Sequence, residues 1–404
     1  MERSDHRYLT SVQAAGALGV SVQTLYAYTS RGQVQSEPVP GRPRERRYPR
    51  EDIERMRERK EARRDPAAAA ARGLHWGTPV LASGITLIQE GRLFYRGQDS
   101  LQLAETASLE QVAELLWAAE EVERGRLFTQ PGRLSTGQLA RLRRQSDEPL
   151  AMFQMALPLA GAADLASHDL RPAAVRQTGA RILRLMVTIL SRCRSGAPAH
   201  EVLQALWAPR NPEVGSAIRT ALVLCADHEL NVSAFVARCA ASAGASPYDV
   251  VAAALATLKG QRHGGETQRV SALVSEVPNP RQARAVLADR LRRGDRIPGF
   301  GHPLYPAGDP RAALLLRLAE EGRRAAEWRL IRSVVKAGTS LLQDRPNLDL
   351  GLVALAHSHG LPAQAPLILF ALGRTAGWIA HALEQYSGDL IRPRARYVGP
   401  APAV

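Results

Sequence analysis

Two short histidine motifs flanked by glycine constrain this 404-residue chain more than any other feature of its sequence. The first motif is Lys259-Gly-Gln-Arg-His-Gly-Gly265, and the second is Pro298-Gly-Phe-Gly-His-Pro303. Because glycine has no side chain, the backbone and the imidazoles of His263 and His302 can approach a small molecule closely. Downstream, Pro346-Asn-Leu-Asp349 adds a carboxylate in a turn-like setting. Two imidazoles and one carboxylate are the groups needed to remove a proton from carbon and to deliver another to a carbonyl oxygen.

The composition favours helices over most of the chain. Alanine, leucine and arginine dominate, aromatic residues make up only 5% of the sequence, and runs of β-branched residues are short. The most apolar late segment, 367–383, is interrupted by Arg374 and His381, so it predicts a buried core helix and not a membrane span. A chain of this length accommodates two or three compact units and a large core.

The N-terminal residues and the cysteines bear on the cellular compartment. The charged opening sequence Met-Glu-Arg-Ser-Asp-His-Arg lacks the apolar core of a signal peptide. The three cysteines, Cys193, Cys225 and Cys239, do not have the spacing of metal ligands, and their odd number argues against a disulfide framework. We therefore expect a cytoplasmic protein that has no membrane span and no metal site.

The net charge of +14 is compatible with a nucleic-acid partner, so its distribution matters. Residues 1–65 hold 14 Lys and Arg against 10 Asp and Glu, whereas the remaining 339 residues hold 39 against 29. Most of the excess positive charge therefore lies outside the N-terminal region. A basic body also suits a small polyanionic substrate, and the charge alone does not decide between the two.

Residues 8–30 predict two short helices joined by a tight turn. Thr10 or Ser11 can cap the first helix, and Ser21 can cap the second. Between them, Gly19 can adopt the left-handed conformation that ends a helix. The first helix carries apolar residues that are spaced for one face, namely Val12, Ala15 and Leu18.

This pattern resembles the helix-turn-helix of MerR-type and excisionase-like DNA-binding domains. The resemblance implies a recognition helix that presents Gln23, Thr24 and Tyr28 to a DNA groove. The segment 41–48 resembles the basic wing of those domains, with Arg44 and Arg46, and 50–59 resembles the helix that follows it. Between positions 41 and 64, eleven Lys and Arg stand against six acids, which suits phosphate contacts through residues 8–60. The alternative is a dimerisation or docking appendage whose charges form a solvated surface.

A linker and a pair of strands precede a long helical region. Residues 61–75, which include a run of alanines, predict the linker. The best strand candidates follow at 85–88 and 93–95, joined by Glu90-Gly91. From 138 to 258 the sequence predicts helix after helix, with no internal repeat.

The two histidine motifs, the Asp309-Pro-Arg311 sequence and the Pro-Asn-Leu-Asp motif together resemble the citrate synthase family in order and separation. Asp227-His-Glu-Leu-Asn-Val-Ser233 resembles the family's oxaloacetate-binding segment. The resemblance covers residues 76–398 and implies an all-α fold, preceded by a winged helix-turn-helix domain at 1–60. The large domain would comprise 76–263 and 359–404, and the small domain 264–358 would be inserted in it. Closure between these two domains would assemble the site.

The resemblance implies an acyltransferase that condenses acetyl-CoA with oxaloacetate to give citrate and CoA. In this reaction Asp349 removes a proton from the methyl group, and His263 hydrogen-bonds the thioester oxygen as the enol forms. His302 then protonates the ketone oxygen of oxaloacetate. Acetyl-CoA is a substrate, so no further cofactor is expected.

The resemblance also implies which residues bind oxaloacetate. His228 would donate a hydrogen bond to it, and three arginines would hold its carboxylates because a guanidinium pairs bidentately with a carboxylate. These arginines are Arg311, Arg374 and Arg392. In relatives the last of them reaches across a dimer into the partner's site, so a homodimer is expected.

Two other functions remain open. Glu266-Thr267 replaces the Ala-Asn that is usual in the family, and Pro303 and 306–308 replace usual basic residues, so the lining that recognises the acyl-CoA differs. A 2-methylcitrate synthase that uses propionyl-CoA would keep the same acid–base residues. A DNA-binding transcription regulator with a synthase-like sensor domain would keep the arginines, but it would not need the base Asp349.

Overall fold

The structure is a computed structural model that describes residues 8–39, 41–50, 52–54, 56–57, 81–130, 132–191, 196–395 and 397–400. The chain divides into two compact units, one of residues 83–393 and the other of residues 1–82 with 394–404. We call residues 8–57 the head and residues 83–393 the body. The predicted linker at 61–75 lies outside the described residues.

The head has the predicted pair of short helices and an antiparallel sheet of order β1-β3-β2. Strand β3 pairs with β1 in a register that places Leu9 opposite Tyr48, and both side chains are buried. Helical residues follow β3 at 50, 52–54 and 56–57. The numbered elements are β1 (Tyr8–Thr10), α1 (Ser11–Leu18), α2 (Val22–Ser30), β2 (Glu37–Val39) and β3 (Arg42–Pro49).

The predicted helix ends in the head are confirmed. Thr10 is the N-cap of α1 and forms a capping box with Gln13, Gly19 ends the helix with φ of 62°, and Ser21 caps α2. The predicted apolar face of α1 is wrong in one residue, because Val12 is 73% exposed. A helix has 3.6 residues per turn, so a spacing of three residues drifts around the axis. The buried side of α1 is formed instead by Ala14, Ala15 and Leu18.

The body begins with a small antiparallel sheet and continues as helices. The predicted strand pair is confirmed, because β4 and β5 pair in a hairpin across Glu90 and Gly91. The strands are β4 (Thr86–Gln89), β5 (Arg92–Tyr95) and β6 (Gln98–Asp99). The α-helices are α3 (Ser100–Thr106), α4 (Leu109–Leu116), α5 (Thr136–Gln145), α6 (Pro149–Ala163), α7 (Pro172–Ser191), α8 (Ala199–Trp207), α9 (Val214–Leu224), α10 (Val232–Ser242), α11 (Pro247–Leu258), α12 (Glu266–Glu276), α13 (Ala283–Arg292), α14 (Pro310–Glu320), α15 (Ala325–Leu342), α16 (Leu348–His359) and α17 (Ala365–Tyr386).

The main hydrophobic core of the body is built around α17. Trp378 on this helix is fully buried. Trp117, the residue that follows α4, donates a hydrogen bond from Nε1 to the carbonyl oxygen of Ala376 at 2.8 Å. Among the described residues, α17 has the length and hydropathy of a membrane span, yet 94% of its apolar window is buried within the protein. The sequence-based prediction of a core helix in this segment is therefore confirmed.

Two smaller hydrophobic clusters lie apart from the main core. One includes Val270, Ile331 and Val353, and the other includes Leu287 and Val334. All of their buried residues fall between 264 and 358, the interval predicted for a small domain. Some apolar residues of α14 and α16 pack instead into the main core, among them Leu315 and Leu352. The boundaries of the large and small domains therefore stay a prediction.

Candidate active site

The predicted histidines and the predicted base come from three connections between helices of the body and from the start of one helix. His228 lies between α9 and α10, His263 lies between α11 and α12, and His302 lies between α13 and α14. Asp349 was expected in a turn, but it occupies the first turn of α16. The helix starts there because Asn347 is the N-cap, and its Oδ1 accepts a hydrogen bond from the backbone N–H of Asp349 at 3.1 Å.

The rings of His228, His302 and Tyr305 pack together in one cluster. The His228 and His302 rings meet edge to face with centroids 5.0 Å apart, and the Tyr305 ring lies 5.0 Å from that of His302. The Tyr305 hydroxyl lies 3.0 Å from Nε2 of His228, within hydrogen-bond distance. Nδ1 of His302 accepts a hydrogen bond from the backbone N–H of Leu304 at 3.2 Å. A neutral His302 therefore carries its hydrogen on Nε2.

A buried ion pair connects this cluster to the start of α16. The Arg311 guanidinium donates to both carboxylate oxygens of Asp309, at 2.9 and 2.8 Å, and its Cζ lies 5.3 Å from the centre of the Tyr305 ring. Asp309 Oδ2 also accepts a hydrogen bond from the backbone N–H of Leu348 at 3.1 Å. The carboxylate of Asp309 thus holds Arg311 and positions the residue before Asp349.

The glycines of the second histidine motif let two loops pair closely. The N–H of Gly301 donates to the carbonyl oxygen of Arg345 at 2.8 Å, and the N–H of Asn347 donates to the carbonyl oxygen of Gly299 at 2.9 Å. Gly299 and Gly301 have φ of 89° and 75°, a region that L side chains rarely adopt. This pairing joins the loop that carries His302 to the N-terminus of the helix that carries Asp349.

His263 is held by a chain of hydrogen bonds from two helices. Its Nε2 lies 2.8 Å from Oγ of Ser233, which also accepts a hydrogen bond from Nε1 of Trp378 at 3.1 Å. Oγ of Ser233 lies 2.8 Å from Oδ1 of Asn231, which is the N-cap of α10. The Phe370 ring packs edge-on against the imidazole with centroids 5.8 Å apart. Trp378, which is fully buried in the main core, therefore also supports the site.

Arg374 is almost completely buried on α17, with only 1% of its surface exposed. Its Nε donates to the carbonyl oxygen of Cys225 at 2.8 Å, and its Cζ lies 5.0 Å from the centre of the Phe370 ring. The helix approaches the 225–228 segment closely because Gly377 has no side chain: a Cβ there would lie 2.4 Å from the carbonyl oxygen of Ala226. This contact places Arg374 beside the residues that precede His228.

The three histidines are neutral at pH 7. Burial and the nearby Arg374 lower the pKa of His263 to about 3. Burial and Arg311 lower the pKa of His302 to about 4. The pKa of His228 is lowered well below its usual value, first by burial and then by the positive charge of Arg311. A neutral imidazole both donates and accepts a hydrogen bond, which suits proton transfer at carbonyl oxygens.

Charge around the cluster is arranged to attract an anion. Arg311 and Arg374 are both buried, and Asp309 pairs only with the first of them among the described residues. Burial alone would lower the pKa of Arg311, but its ion pair with Asp309 raises that pKa overall. A guanidinium remains charged even when it is buried. Two buried cations therefore lie beside three neutral imidazoles, an arrangement that favours a bound anion.

Asp349 has the properties of a general base. Burial raises its pKa to about 7, and the negative charge of Glu266 adds to this effect. Its Oδ1 is buried and accepts no hydrogen bond from the described residues. A carboxylate with a pKa near the working pH and a free acceptor atom is suited to proton abstraction.

The structure brings together most of the residues that the sequence predicts for the site. The charges of Arg311 and Arg374 are close enough to lower the pKa of His228, which His263 and His302 also influence. The charge of Arg311 likewise acts on the pKa of Asp349. Arg392 is different, because it is exposed in the irregular segment after α17. Its predicted role stays a prediction.

Sequence reasoning missed Ser233 and Tyr305. Ser233 is the last residue of the Asp227–Ser233 motif, five residues after His228, and Tyr305 lies just beyond the second histidine motif, three residues after His302. Their polar side chains next to motif histidines were the available signal. Only the contacts across the fold reveal which atoms they hold.

The predicted DNA-contacting residues lie on α2 and β3 of the head. Gln23 is exposed, Thr24 is half-buried with its hydroxyl 2.9 Å from that of Ser21, and Tyr28 packs partly against the head's core. Arg46 is exposed, and its Nε donates to Oγ of Ser36 at 3.0 Å. The side chain of Arg44 lies outside the described residues. No group of three or more His, Cys, Asp or Glu side chains that could hold a metal ion occurs in the described part of the chain.

Comparison with known families agrees with this geometry. The family described as "Citrate synthase, C-terminal domain" matches residues 73–394, which is most of the chain. The chain belongs to the citrate synthase family. A second family, described as "Helix-turn-helix domain", matches residues 8–61.

Curated relatives support this membership. The chain is 30% identical to citrate synthase 2 of Bacillus subtilis over 359 residues, which cover 82% of this chain and 96% of the relative. It is 32% identical to the 2-methylcitrate synthase of Mycobacterium tuberculosis over 342 residues, which cover 77% of this chain and 86% of the relative. This citrate synthase family member is therefore an acyltransferase enzyme with an N-terminal helix-turn-helix domain.

Solved structures have the same fold. A citrate synthase from Thermoplasma acidophilum, determined as a ternary complex with carboxymethyl coenzyme A and oxaloacetate, matches with a TM-score of 0.73 and 26% identity. The match covers 82% of this chain and 97% of that one. The citrate synthase from Thermotoga maritima matches with a TM-score of 0.70 and 26% identity, over 81% of this chain and 95% of that one. The predicted helical citrate synthase fold is confirmed.

Proposed function

We propose that the body condenses acetyl-CoA with oxaloacetate to give citrate and CoA in the cytoplasm, with no cofactor besides the CoA substrate. The observation that carries this proposal is the cluster of neutral His228 and His302 beside the buried cations Arg311 and Arg374. A dicarboxylate with a ketone oxygen needs two cations for its carboxylates and neutral donors for its ketone. The structure of the related citrate synthase from Thermoplasma acidophilum was determined with oxaloacetate and carboxymethyl coenzyme A bound.

The first step is removal of a proton from the methyl carbon of acetyl-CoA. Oδ1 of Asp349 takes this proton, the C–H electron pair becomes the C=C bond, and the C=O π pair moves to the thioester oxygen of the resulting enolate. His263 donates a hydrogen bond from Nδ1 to the thioester oxygen, where charge develops. Oγ of Ser233 lies 2.8 Å both from Oδ1 of Asn231, to which it donates, and from Nε2 of His263. This role therefore requires the hydroxyl to turn its one hydrogen from Asn231 to Nε2 of His263. Ser233 then determines which nitrogen of His263 carries the hydrogen.

The second step forms the carbon–carbon bond. The enolate carbon attacks the ketone carbon of oxaloacetate, the C=O π pair moves to the ketone oxygen, and that oxygen takes the proton from Nε2 of His302. Nδ1 of that ring is already occupied by the Leu304 N–H, so the hydrogen stands on the other nitrogen. Water then attacks the thioester carbonyl and gives one proton to Nε2 of His302, and the C–S bond breaks. CoA leaves as the thiol with the proton that Asp349 had taken, and the new carboxylic acid releases its proton to the solvent.

Substrate binding uses the arginines and His228. Arg311 and Arg374 pair with the carboxylates of oxaloacetate, and His228 donates a hydrogen bond to it. Arg392 is exposed within its own chain. In the homodimer that we propose, this residue completes the site of the other subunit.

CoA release with oxaloacetate and either acetyl-CoA or propionyl-CoA tests this function. Replacing Asp349 by Ala removes the base, so we expect the rate to fall by about 100- to 10,000-fold. Asp147→Ala is a matched control, since this exposed carboxylate lies in the turn between α5 and α6. No CoA release by the wild-type protein with either substrate would overturn the proposal.

The acyl-CoA preference is the second part of the same experiment. The 2-methylcitrate synthase relative and Glu266 beside Asp349 favour a test of propionyl-CoA as the alternative substrate. One methylene in a pocket is worth about 1–3 kcal/mol, so the ratio of the two kcat/KM values decides the assignment. A ratio above tenfold in favour of propionyl-CoA would replace citrate by 2-methylcitrate as the product.

We also propose that the head binds duplex DNA. The helix-turn-helix match and the basic strand β3 support this role. Fluorescence anisotropy with a labelled duplex should show binding that weakens steeply as salt rises, because phosphate contacts release counterions. Arg46→Ala should weaken binding, whereas Arg317→Ala in the body should leave it unchanged. Absence of binding at low salt would favour the docking appendage instead.

The regulator with a synthase-like sensor domain remains the alternative to an enzyme that also binds DNA. A regulator requires DNA affinity that changes when oxaloacetate or citrate is bound. The same anisotropy titration, repeated with each ligand, distinguishes the two. Turnover that depends on Asp349 together with ligand-independent DNA affinity would exclude the sensor role.

A further inference from the structure

Tyr305 occupies a central place in the cluster, although the proposed reaction assigns it no role. Its side chain is buried with 2% of its surface exposed, and its hydroxyl lies 3.0 Å from Nε2 of His228. Its ring centroid is 5.0 Å from that of His302 and 5.6 Å from that of His228. The Arg311 guanidinium lies over the same ring, at 5.3 Å from its centre. The phenol therefore contacts three of the residues proposed to handle oxaloacetate.

The hydrogens of Tyr305 and His228 can be counted. Burial raises the pKa of Tyr305 to about 12, so the phenol keeps its hydrogen at pH 7. His228 is neutral and carries one hydrogen on its ring, because its pKa is well below the usual value. The pair thus has two hydrogens, and its mutual hydrogen bond uses one of them.

One hydrogen of the pair is left for another acceptor in either arrangement. If the phenol donates to Nε2, the remaining hydrogen is on Nδ1 of His228. If Nε2 donates to the phenol, the remaining hydrogen is on the Tyr305 hydroxyl. Without the hydroxyl, the imidazole would lose the contact that orients it and selects its protonated nitrogen.

We propose that Tyr305 is a positioning residue of the oxaloacetate site, whose hydroxyl orients His228 so that the pair donates one hydrogen bond to the bound 2-oxo dicarboxylate. This inference rests on the proposed function of the body and extends its binding site. The Arg311 guanidinium also holds the phenol ring, because it packs over the ring and is itself fixed by its ion pair with Asp309. Tyr305 acts on binding of oxaloacetate and not on the acyl-CoA.

The test is the substitution Tyr305→Phe, which removes the hydroxyl and keeps the ring. We expect the KM for oxaloacetate to rise about tenfold, as for the loss of one buried hydrogen bond, while the KM for the acyl-CoA stays within about twofold. The rise in melting temperature that oxaloacetate alone produces should shrink in parallel. Tyr386→Phe is the matched control, because that hydroxyl donates to the carbonyl oxygen of Ala245 at 2.7 Å, outside the cluster.

The outcomes separate this proposal from the proposed function. Tyr305→Phe with a wild-type KM for oxaloacetate and a wild-type melting shift would overturn the positioning role while the enzyme stays active. Equal rises in both KM values would also overturn it, because a general loss of structure has that effect. If the wild type releases no CoA, the proposed reaction fails, and the oxaloacetate melting shift of the two variants still decides the role of Tyr305. Absence of both turnover and melting shift in the wild type would overturn both proposals.

Discussion

At the scale of single residues, protonation states are set by burial and by neighbouring charges. The same burial that keeps His263 and His302 neutral raises the pKa of Asp349, since removal from water disfavours the charged form of either group. Glu266 stands at the first position of α12, after the His-Gly-Gly motif, where the family usually has alanine. Because the charge of Glu266 raises the pKa of Asp349, the pH at which activity is half-maximal reports on this pair of carboxylates.

Replacing Glu266 by Gln should move the acid limb of the activity profile to lower pH. Asp349 is active as the carboxylate, so kcat falls as pH drops through its pKa of about 7. The negative charge of Glu266 raises that pKa, and its removal lowers the pKa, so the variant stays active in more acidic solution. A kcat–pH profile measures the shift. Glu276→Gln at the other end of α12 is the control, and an unchanged midpoint in Glu266→Gln would contradict the assignment.

Replacing Ser233 by Ala should lower kcat more than it changes the KM for oxaloacetate. The variant loses the contact with Nε2 of His263 at 2.8 Å, so the imidazole is free to carry its hydrogen on either nitrogen. We expect a fall in kcat of about tenfold, which corresponds to one hydrogen bond. Steady-state kinetics provide the measurement, with exposed Ser275→Ala as the control. A rise in KM with unchanged kcat would be the opposite of this expectation.

At the scale of elements, α17 organises the site from within the core. It carries Phe370 and Arg374 toward the cluster and Trp378 toward Ser233. Its glycines allow the 222–227 backbone to approach, since a Cβ at Gly373 would lie 2.4 Å from the carbonyl oxygen of Leu222. Asp227, in this approaching segment, accepts a hydrogen bond from Thr86 at 2.6 Å, which ties β4 to the same helix face. Packing of one helix therefore fixes the positions of several site residues.

Two glycine-to-alanine substitutions in helices should have opposite effects on stability. Gly377→Ala places a Cβ 2.4 Å from the Ala226 carbonyl oxygen, so the backbone must shift, and we expect destabilisation of about 1–3 kcal/mol. Gly137→Ala in α5 is its matched control, because the nearest atom to that Cβ is 4.0 Å away. At position 137 alanine reduces the conformational freedom of the unfolded chain, so we expect the folded protein to be stabilised by about 0.5 kcal/mol. Urea unfolding measures both, and shifts of the same sign would contradict this account.

At the scale of the whole molecule, the chain combines two compact units with separate cores. The head packs around residues such as Leu25, Tyr48 and Ile53, whereas the body packs around α17. Two cores predict two unfolding transitions, because each unit has its own cooperative set of contacts. An enzyme that binds DNA and a ligand-controlled regulator differ in whether these transitions are coupled.

Oxaloacetate should raise the melting temperature of the body alone. At 100 times its Kd, a ligand that binds only the folded state stabilises that state by about 2.7 kcal/mol. Differential scanning calorimetry of the full chain measures both transitions, and Arg374→Leu, which removes a buried cation, should abolish the shift. If the transition of the head moves together with that of the body, the sensor interpretation gains support and the uncoupled enzyme is excluded.

Sequence alone determined the features that depend on local rules. The caps at Thr10 and Ser21, the left-handed Gly19 and the β4–β5 hairpin follow from residues within a few positions of one another. The chemical groups of the candidate site were also visible, because each stands in a short motif. Burial of the late apolar helix followed from its composition. The exposure of Val12 was not predicted, because a spacing of three residues drifts around a helix of 3.6 residues per turn and leaves Val12 away from the side of Ala15 and Leu18.

Only the tertiary structure decided how these groups act on one another. The contact between His228 and Tyr305 spans 77 residues, and the one between Trp378 and Ser233 spans 145. Neither contact is encoded in a local pattern, since each depends on how two connections and a core helix pack. The raised pKa of Asp349 likewise comes from burial in the folded chain and from Glu266, which lies far away in the sequence. Sequence named the reacting groups, and packing set their charges, tautomers and partners, because burial and distance are properties of the folded chain.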